Sequence, residues 1–129
     1  MKKLLSLVIL LLFIVSCAQP TKEVQAVSAQ EVYDAVYKQK KSDLQLVDVR
    51  TPEEFGVSHL KDAQNICVTE GDFKAKVASL DKDKPVYLYC KKGGRSARAA
   101  KILQELGFKE VYDLQGGITA WEAEGLETN

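Results

Sequence analysis

The stretch PVYLYCKKGGRSARAAKILQELG, Pro85–Gly107, decides the fold. Val86 to Tyr89 is a short unbroken apolar run of strand formers, which suits a central, buried strand. Cys90 stands where that strand ends, followed by Lys91, Lys92, Gly93 and Gly94, and from Arg95 a helical pattern runs to Gly107. A strand that turns through glycines into a helix is the unit from which parallel α/β sheets are built, and ligands gather beyond the carboxyl ends of their strands.

The same alternation extends outward from this stretch. Ser28 and Glu31 have capping-box spacing, and Val32, Ala35 and Val36 share a face, so a helix is expected over Ala29 to Lys40. Leu44 to Val49 reads as a strand that ends near Asp48. Thr51, Pro52 and Glu54 cap a short helix over TPEEFGVS. A strand follows in AQNICV, a helix in GDFKAKVASL and a last strand in EVYDL. The fold class is therefore α/β, a mostly parallel sheet with helices on both faces.

Length and charge set outer limits. The chain has 129 residues, which fits one compact domain and leaves little room for a second. Eighteen Lys and Arg balance eighteen Asp and Glu, so no global charge favours nucleic acid or an anionic membrane surface.

The amino-terminal segment stands apart. MKKLLSLVILLLFIVSC has a basic start, an apolar run short for a membrane span, and Ser16 before Cys17. Residues 1–16 are expected to be a signal peptide. IVSC resembles the lipobox of bacterial lipoproteins, which implies a lipidated Cys17, residues 17–27 as a polar tether, and a domain over 28–129. The expected location is outside the cytoplasm, anchored by lipid to a bacterial membrane and facing the periplasm. There, Cys67 and Cys90 would be the remaining thiols, too few for a disulfide scaffold but able to pair if close. His59 is the single histidine, so no histidine and cysteine cluster offers a metal site.

The turn after Cys90 carries the chemistry. A thiol at a strand end, facing the amides and positive dipole end of a following helix, is stabilised as a thiolate. Lys91, Lys92 and Arg95 add positive charge, and Gly93 and Gly94 are expected to supply positive φ that lets the backbone curl around sulfur. Ser96 is either a cap of the helix start or a ligand. Asp48 and Arg50 either tune the site or brace a strand end as an ion pair. Cys67 is either a second, resolving thiol or a small apolar residue at a strand end. His59 reads as a structural hydrogen-bonding residue and Trp121 as core packing.

CKKGGRS resembles the active loop of the rhodanese sulfurtransferases, CxxGxRS. LVDVRTPEEFGVSHLKDAQNI is similar to that family's DVR, EF, GHI and GAxNI segments, and LQGGITAW to its closing LxGGxxxW. The resemblance spans Val27 to Gly125. It implies a five-stranded parallel sheet and a nucleophilic Cys90. In such a site the cysteine takes a sulfane sulfur from a donor such as thiosulfate and holds it as a persulfide. It then passes the sulfur to cyanide or a thiol, a protein thiol being a candidate acceptor, without a metal or organic cofactor. Lys91 to Ser96 would form the cradle. Three positions depart from the pattern: Ser58 and Asp62 stand in place of glycine, and Cys67 in place of proline.

Other cysteine chemistries remain in view. Phosphatases and arsenate reductases that use a cysteine and arginine loop place five residues between the two. Here four intervene, a ring that suits one sulfur better than a tetrahedral oxyanion, and no aspartate is recognisably placed as a general acid. A non-catalytic binding module would not need Cys90, and a thiol-disulfide oxidoreductase would need the CxxC that is missing.

Overall fold

The computed structural model describes residues 22–129. The signal peptide 1–16 and the lipidation expected at Cys17 lie outside the described residues. Five parallel strands form a single sheet: β1 (Gln25–Val27), β2 (Gln45–Asp48), β3 (Gln64–Asn65), β4 (Val86–Tyr89) and β5 (Val111–Leu114). Their order is β1-β5-β4-β2-β3, which puts β4 at the centre with every residue buried. The register sets Asp48 beside Tyr89 on one side and Asn65 on the other. The strands that end at Asp48 and just before Cys90 are thus direct neighbours, and both chemically interesting ends open on one edge of the sheet.

Helices cover both faces, and each covers what its sequence stripe dictates. On one face α3 (Phe73–Val77) and α4 (Gly94–Glu105) pack Phe73, Val77, Ala99, Ala100 and Leu103 against Val47, Val86 and Leu88. On the other, α1 (Ala29–Tyr33) and α5 (Gly117–Ala123) bury Val32, Ile118 and Trp121 against Leu46 and Tyr87. The indole of Trp121 also donates to Glu127 O at 3.0 Å, which ties the carboxyl-terminal segment to this face. The remaining helix, α2 (Pro52–Val57), buries no side chain and sits at the strand ends, held by its capping box. There Glu54 N–H donates to Thr51 Oγ1 at 3.3 Å, and Thr51 N–H donates back to Glu54 Oε2 at 3.1 Å.

Four expectations need correction. Gln25–Val27, expected within the tether, is strand β1: it pairs along β5, and Gln115 N–H donates to Val27 O at 2.8 Å. Three residues are too few for a period to show. The helix expected to Lys40 is α-helical to Tyr33 and then winds as a π-helix over Asp34–Lys38. The strand expected in AQNICV shortens to two residues. Ile66 N–H bonds Asp48 O at 2.9 Å and Val68 N–H bonds Val49 O at 3.0 Å, so this edge advances two residues for one of β2 and Cys67 falls in the break. In GDFKAKVASL only Phe73–Val77 is helical.

Asp48 and Arg50 form a buried ion pair at the end of β2. Arg50 Nη2 donates to Asp48 Oδ2 at 2.6 Å and to Ser58 O at 2.6 Å, with Arg50 5% and Asp48 0% exposed. Removing one partner strands the other charge in a dry site. Arg50→Ala is expected to lower the stability of the domain by about 3–5 kcal/mol, read as a fall in the midpoint of urea unfolding. An unchanged midpoint would mean that the pair does not hold this strand end.

Candidate active site

The site is built around a sulfur. Cys90 follows the last residue of β4 and is 1% exposed, at the floor of the turn into α4. Gly93 N–H donates to Sγ at 3.0 Å, and the thiol lies 3.4 Å from Ser96 Oγ, which in turn donates to Gly93 O at 3.2 Å. Burial pushes the Cys90 thiol up. The Ser96 hydroxyl and the amides of Ser96, Gly93 and Lys92 outweigh burial and leave it below its ordinary value. Ser96 is therefore the third residue of α4 rather than its cap, which is Gly93, and its buried hydroxyl touches the sulfur.

The two glycines of the turn differ. Gly93 has φ 121°, which an L side chain rarely adopts. Gly94 opens α4 without a positive φ and has nothing within 4 Å of where a Cβ would stand, so the expectation of positive φ at both glycines is corrected to one.

A second segment closes over the turn. Ile118 N–H donates to Cys90 O at 2.9 Å and Thr119 N–H to Lys91 O at 3.1 Å, so the first amides of α5 hold the loop carbonyls. That approach needs Gly117. Its φ is 61°, and a Cβ there would meet Cys90 O, Lys91 C and Lys91 O at 2.5 Å. Gly117 of LQGGITAW is thus explained by contact with the active turn, a role sequence reasoning did not assign to it, whereas Gly116 has φ 76° and a Cβ there would meet Ala120 Cβ at 2.7 Å.

Arg95 is not free to meet a ligand as an isolated cation. Its Nη1 and Nη2 donate to Glu54 Oε2 at 2.6 Å and Oε1 at 2.8 Å, a two-pronged bond that joins α4 to α2. The Arg95 guanidinium, aided by Thr51 and opposed by partial burial, holds the Glu54 carboxyl at about 2. Glu54 is depressed in the folded state, so its contribution is complete above the ordinary carboxylate value. It is lost only as pH falls toward about 2.

The other expected site residues divide. Lys91 and Lys92 are exposed at the rim. A groove of about 260 Å³ beside them is lined by Arg50, Glu54, Ser58, Lys91, Thr119 and Glu122 among others. Asp48 does not join the cysteine: it packs beside the Tyr89 ring system, bound to Arg50, on the face of the sheet away from Cys90. Arg50 reaches the groove while bracing Ser58. Cys67 is buried, with Sγ 3.1 Å from Thr69 Oγ1, and both cysteines are free thiols. His59 Nδ1 lies 2.9 Å from Phe55 O, and its backbone pairs with that of Asn129. Among the described residues no group of acidic, histidine or cysteine side chains is arranged to hold a metal ion.

Comparison with known proteins agrees with this geometry. The family profile described as Rhodanese-like domain matches residues 28–124. The Bacillus subtilis protein YqhL is 44% identical over 77 residues, which cover 60% of each chain. The thiosulfate sulfurtransferase GlpE of Coxiella burnetii is 38% identical over 84 residues, 65% of this chain and 77% of that one. The solution structure of a polysulfide-sulfur transferase homodimer from Wolinella succinogenes superposes with a TM-score of 0.69 at 32% identity, covering 82% of this chain and 78% of its own.

The two kinds of glycine give a paired test. Gly117→Ala combines a positive φ with a backbone overlap, and a loss of roughly 2–5 kcal/mol in urea unfolding is expected. Gly94→Ala should leave stability within about 1 kcal/mol of the parent, because the added methyl meets open space at an ordinary helical position. Equal effects at the two positions would contradict the clamp.

Proposed function

The chain belongs to the rhodanese-like domain family, and from that membership we propose that it is a sulfurtransferase that works through a Cys90 persulfide. The observation that carries the reading is a buried thiol held within its turn, accepting from Gly93 N–H at 3.0 Å and donating to Ser96 Oγ at 3.4 Å. Such a cradle stabilises a thiolate and, one bond further out, a persulfide anion. Cys90 thiolate attacks the outer sulfur of thiosulfate or a similar sulfane donor. The donor's S–S bond breaks and sulfite leaves with the bonding electrons. The attacking sulfur now bears the transferred one. Cyanide, a small thiol or a protein thiol then attacks that outer sulfur, and the Cys90 thiolate is restored with the electron pair of the broken bond.

The chain's residues divide the remaining work. Lys91 and Lys92 present positive charge at the exposed rim, where the sulfonate end of a donor would lie. Arg95, tied to Glu54, braces the loop and supplies field rather than a free fork. No step calls for a metal or organic cofactor. The placement of the domain is part of the proposal: the apolar leader 1–16 and IVSC support export and a lipid on Cys17, so that sulfur transfer would occur at a bacterial membrane, facing the periplasm.

Exposure to thiosulfate is expected to add the mass of one sulfur to the protein, localised to the Cys90 peptide. Cys90→Ser should abolish that adduct and turnover, while Cys67→Ser under reducing conditions keeps most of both. Hydrolysis of an aryl phosphate that depends on Cys90, without any sulfur adduct, would overturn the reading in favour of a cysteine phosphatase.

The anchor has its own test. Protein expressed from the whole gene in a bacterium is expected to partition with membranes and to begin at a lipidated Cys17. Membrane-free protein with an uncleaved leader would refute it.

A further inference from the structure

Two guanidinium groups stand at the mouth of the Cys90 turn, and both are already engaged. Arg50 lines the groove beside Lys91, but its Nε and Nη2 donate to Asp48, and Nη2 donates to Ser58 O as well. Arg95 lies in sequence between Gly93 and Ser96, the two residues whose atoms touch the Cys90 sulfur, and both of its terminal nitrogens donate to Glu54. A guanidinium held at both prongs by one carboxylate has given its matched face to that group rather than to an incoming sulfonate.

Glu54 is fixed from its own side too. Its Oε2 accepts from Thr51 N–H at 3.1 Å and from Thr51 Oγ1 at 3.0 Å, so the acid is held by α2 as well as by α4. The ion pair is not sealed in the core: the Arg95 and Glu54 side chains are 28% and 30% exposed, and they face the solution from which a donor arrives. Glu54 also lines the groove that reaches Lys91, and a second acid, Glu122, lines it with them. The positive charge left over at the mouth is that of exposed Lys91 and Lys92, with an acid close by. Such a balance attracts a monoanion weakly and meets a dianion with one charge uncompensated.

We propose that Glu54 is a specificity-determining residue: by neutralising Arg95 it biases the site toward sulfane donors with at most one negative charge and against the thiosulfate dianion. The inference rests on the sulfurtransferase reading and names its donor class, an organic thiosulfonate or a hydropersulfide. With a thiosulfonate, Cys90 thiolate attacks the outer sulfur, the S–S bond breaks, and a sulfinate leaves with the bonding electrons. With a protonated hydropersulfide the same attack expels a thiolate, and the transferred sulfur keeps its proton on Cys90. Thiosulfate reacts by the same displacement, but its second charge finds Arg95 occupied.

Sulfur transfer by the full-length protein from thiosulfate and from methanethiosulfonate, which present the same outer sulfur with two charges and with one, tests the assignment. Glu54→Gln keeps a residue that capping boxes accept and releases Arg95. In that variant KM should fall more for thiosulfate than for methanethiosulfonate, moving the ratio of their kcat/KM values about fivefold toward thiosulfate at low salt. The shift should vanish by about 0.5 M NaCl, which a merely displaced loop would not do. Glu54→Asp, which keeps the charge, should hold the parent's ratio. An unchanged ratio in folded Glu54→Gln, or an equal shift in Glu54→Asp, would overturn the proposal. Should the Gln variant not fold, the parent decides: its kcat/KM for thiosulfate is expected to fall less than about twofold between about 0.02 and 0.3 M NaCl, and a steeper fall refutes a neutralised mouth. If neither donor adds sulfur to Cys90, the sulfurtransferase reading fails by itself. Calorimetric binding of thiosulfate to Cys90→Ser with and without Glu54→Gln then still tests Glu54, with binding about fivefold tighter in the double variant expected and equal binding contradicting its role.

Discussion

The constraint on which this site depends is the approach of Gly117 to the carbonyls of Cys90 and Lys91. The chain must leave β4, pass around a sulfur and enter α4 within four residues, with its amides turned inward to the thiol. Carbonyls of such a turn face the other way and need donors of their own. The first turn of α5 provides them through Ile118 and Thr119. A methyl at residue 117 would stand 2.5 Å from the backbone it must approach, so only glycine permits the contact.

Stabilisation of the sulfur is mainly a matter of oriented neutral donors. Burial alone would raise the Cys90 pKa, yet the hydrogen bonds of Ser96, Gly93 and Lys92 bring it below its ordinary value. The positive charge of Arg95 is shared, its guanidinium bonded at both prongs to Glu54, and Lys91 and Lys92 are exposed at the rim. Fixed dipoles cost little reorganisation when charge appears on sulfur, whereas a mobile cation would have to be drawn from water and ordered. Glu54 serves two purposes, since the carboxylate that completes the capping box of α2 also anchors α4. Any shift of α2 is therefore felt at the loop.

Departures from the family pattern fit the backbone that carries them. Asp62 replaces a glycine and takes φ 66°, a left-handed conformation that aspartate tolerates better than most residues. Ser58, also in place of a glycine, is extended at φ −162°, where any residue fits. Cys67 replaces a proline at the break in the β2–β3 ladder, and its sulfur is engaged with Thr69.

The alternation of strands and helices from α1 onward, the central place of β4, and the position of Cys90 at a turn into α4 were all legible in the sequence. Each depends on local periodicity and on glycines and caps a few residues apart. The capping boxes at Ser28 and Thr51 formed as their spacing requires. Strand β1 was not legible, and β3 is shorter than the strand read in AQNICV, because edge strands of two or three residues exist through pairing with a neighbour far along the chain. The site shows the same division. Cys90 and its glycine turn announce themselves locally, but the partners that determine what they do come from elsewhere. Glu54 lies 41 residues before Arg95, and Gly117 lies beyond the next strand. The sequence by itself determined which atom is nucleophilic and which backbone turns around it. Tertiary structure decided that Arg95 is a brace, that Asp48 lies on the other face, and that the first turn of α5 closes on the loop. Hydrogen bonds and steric contacts of this kind depend on distances that sequence spacing does not encode.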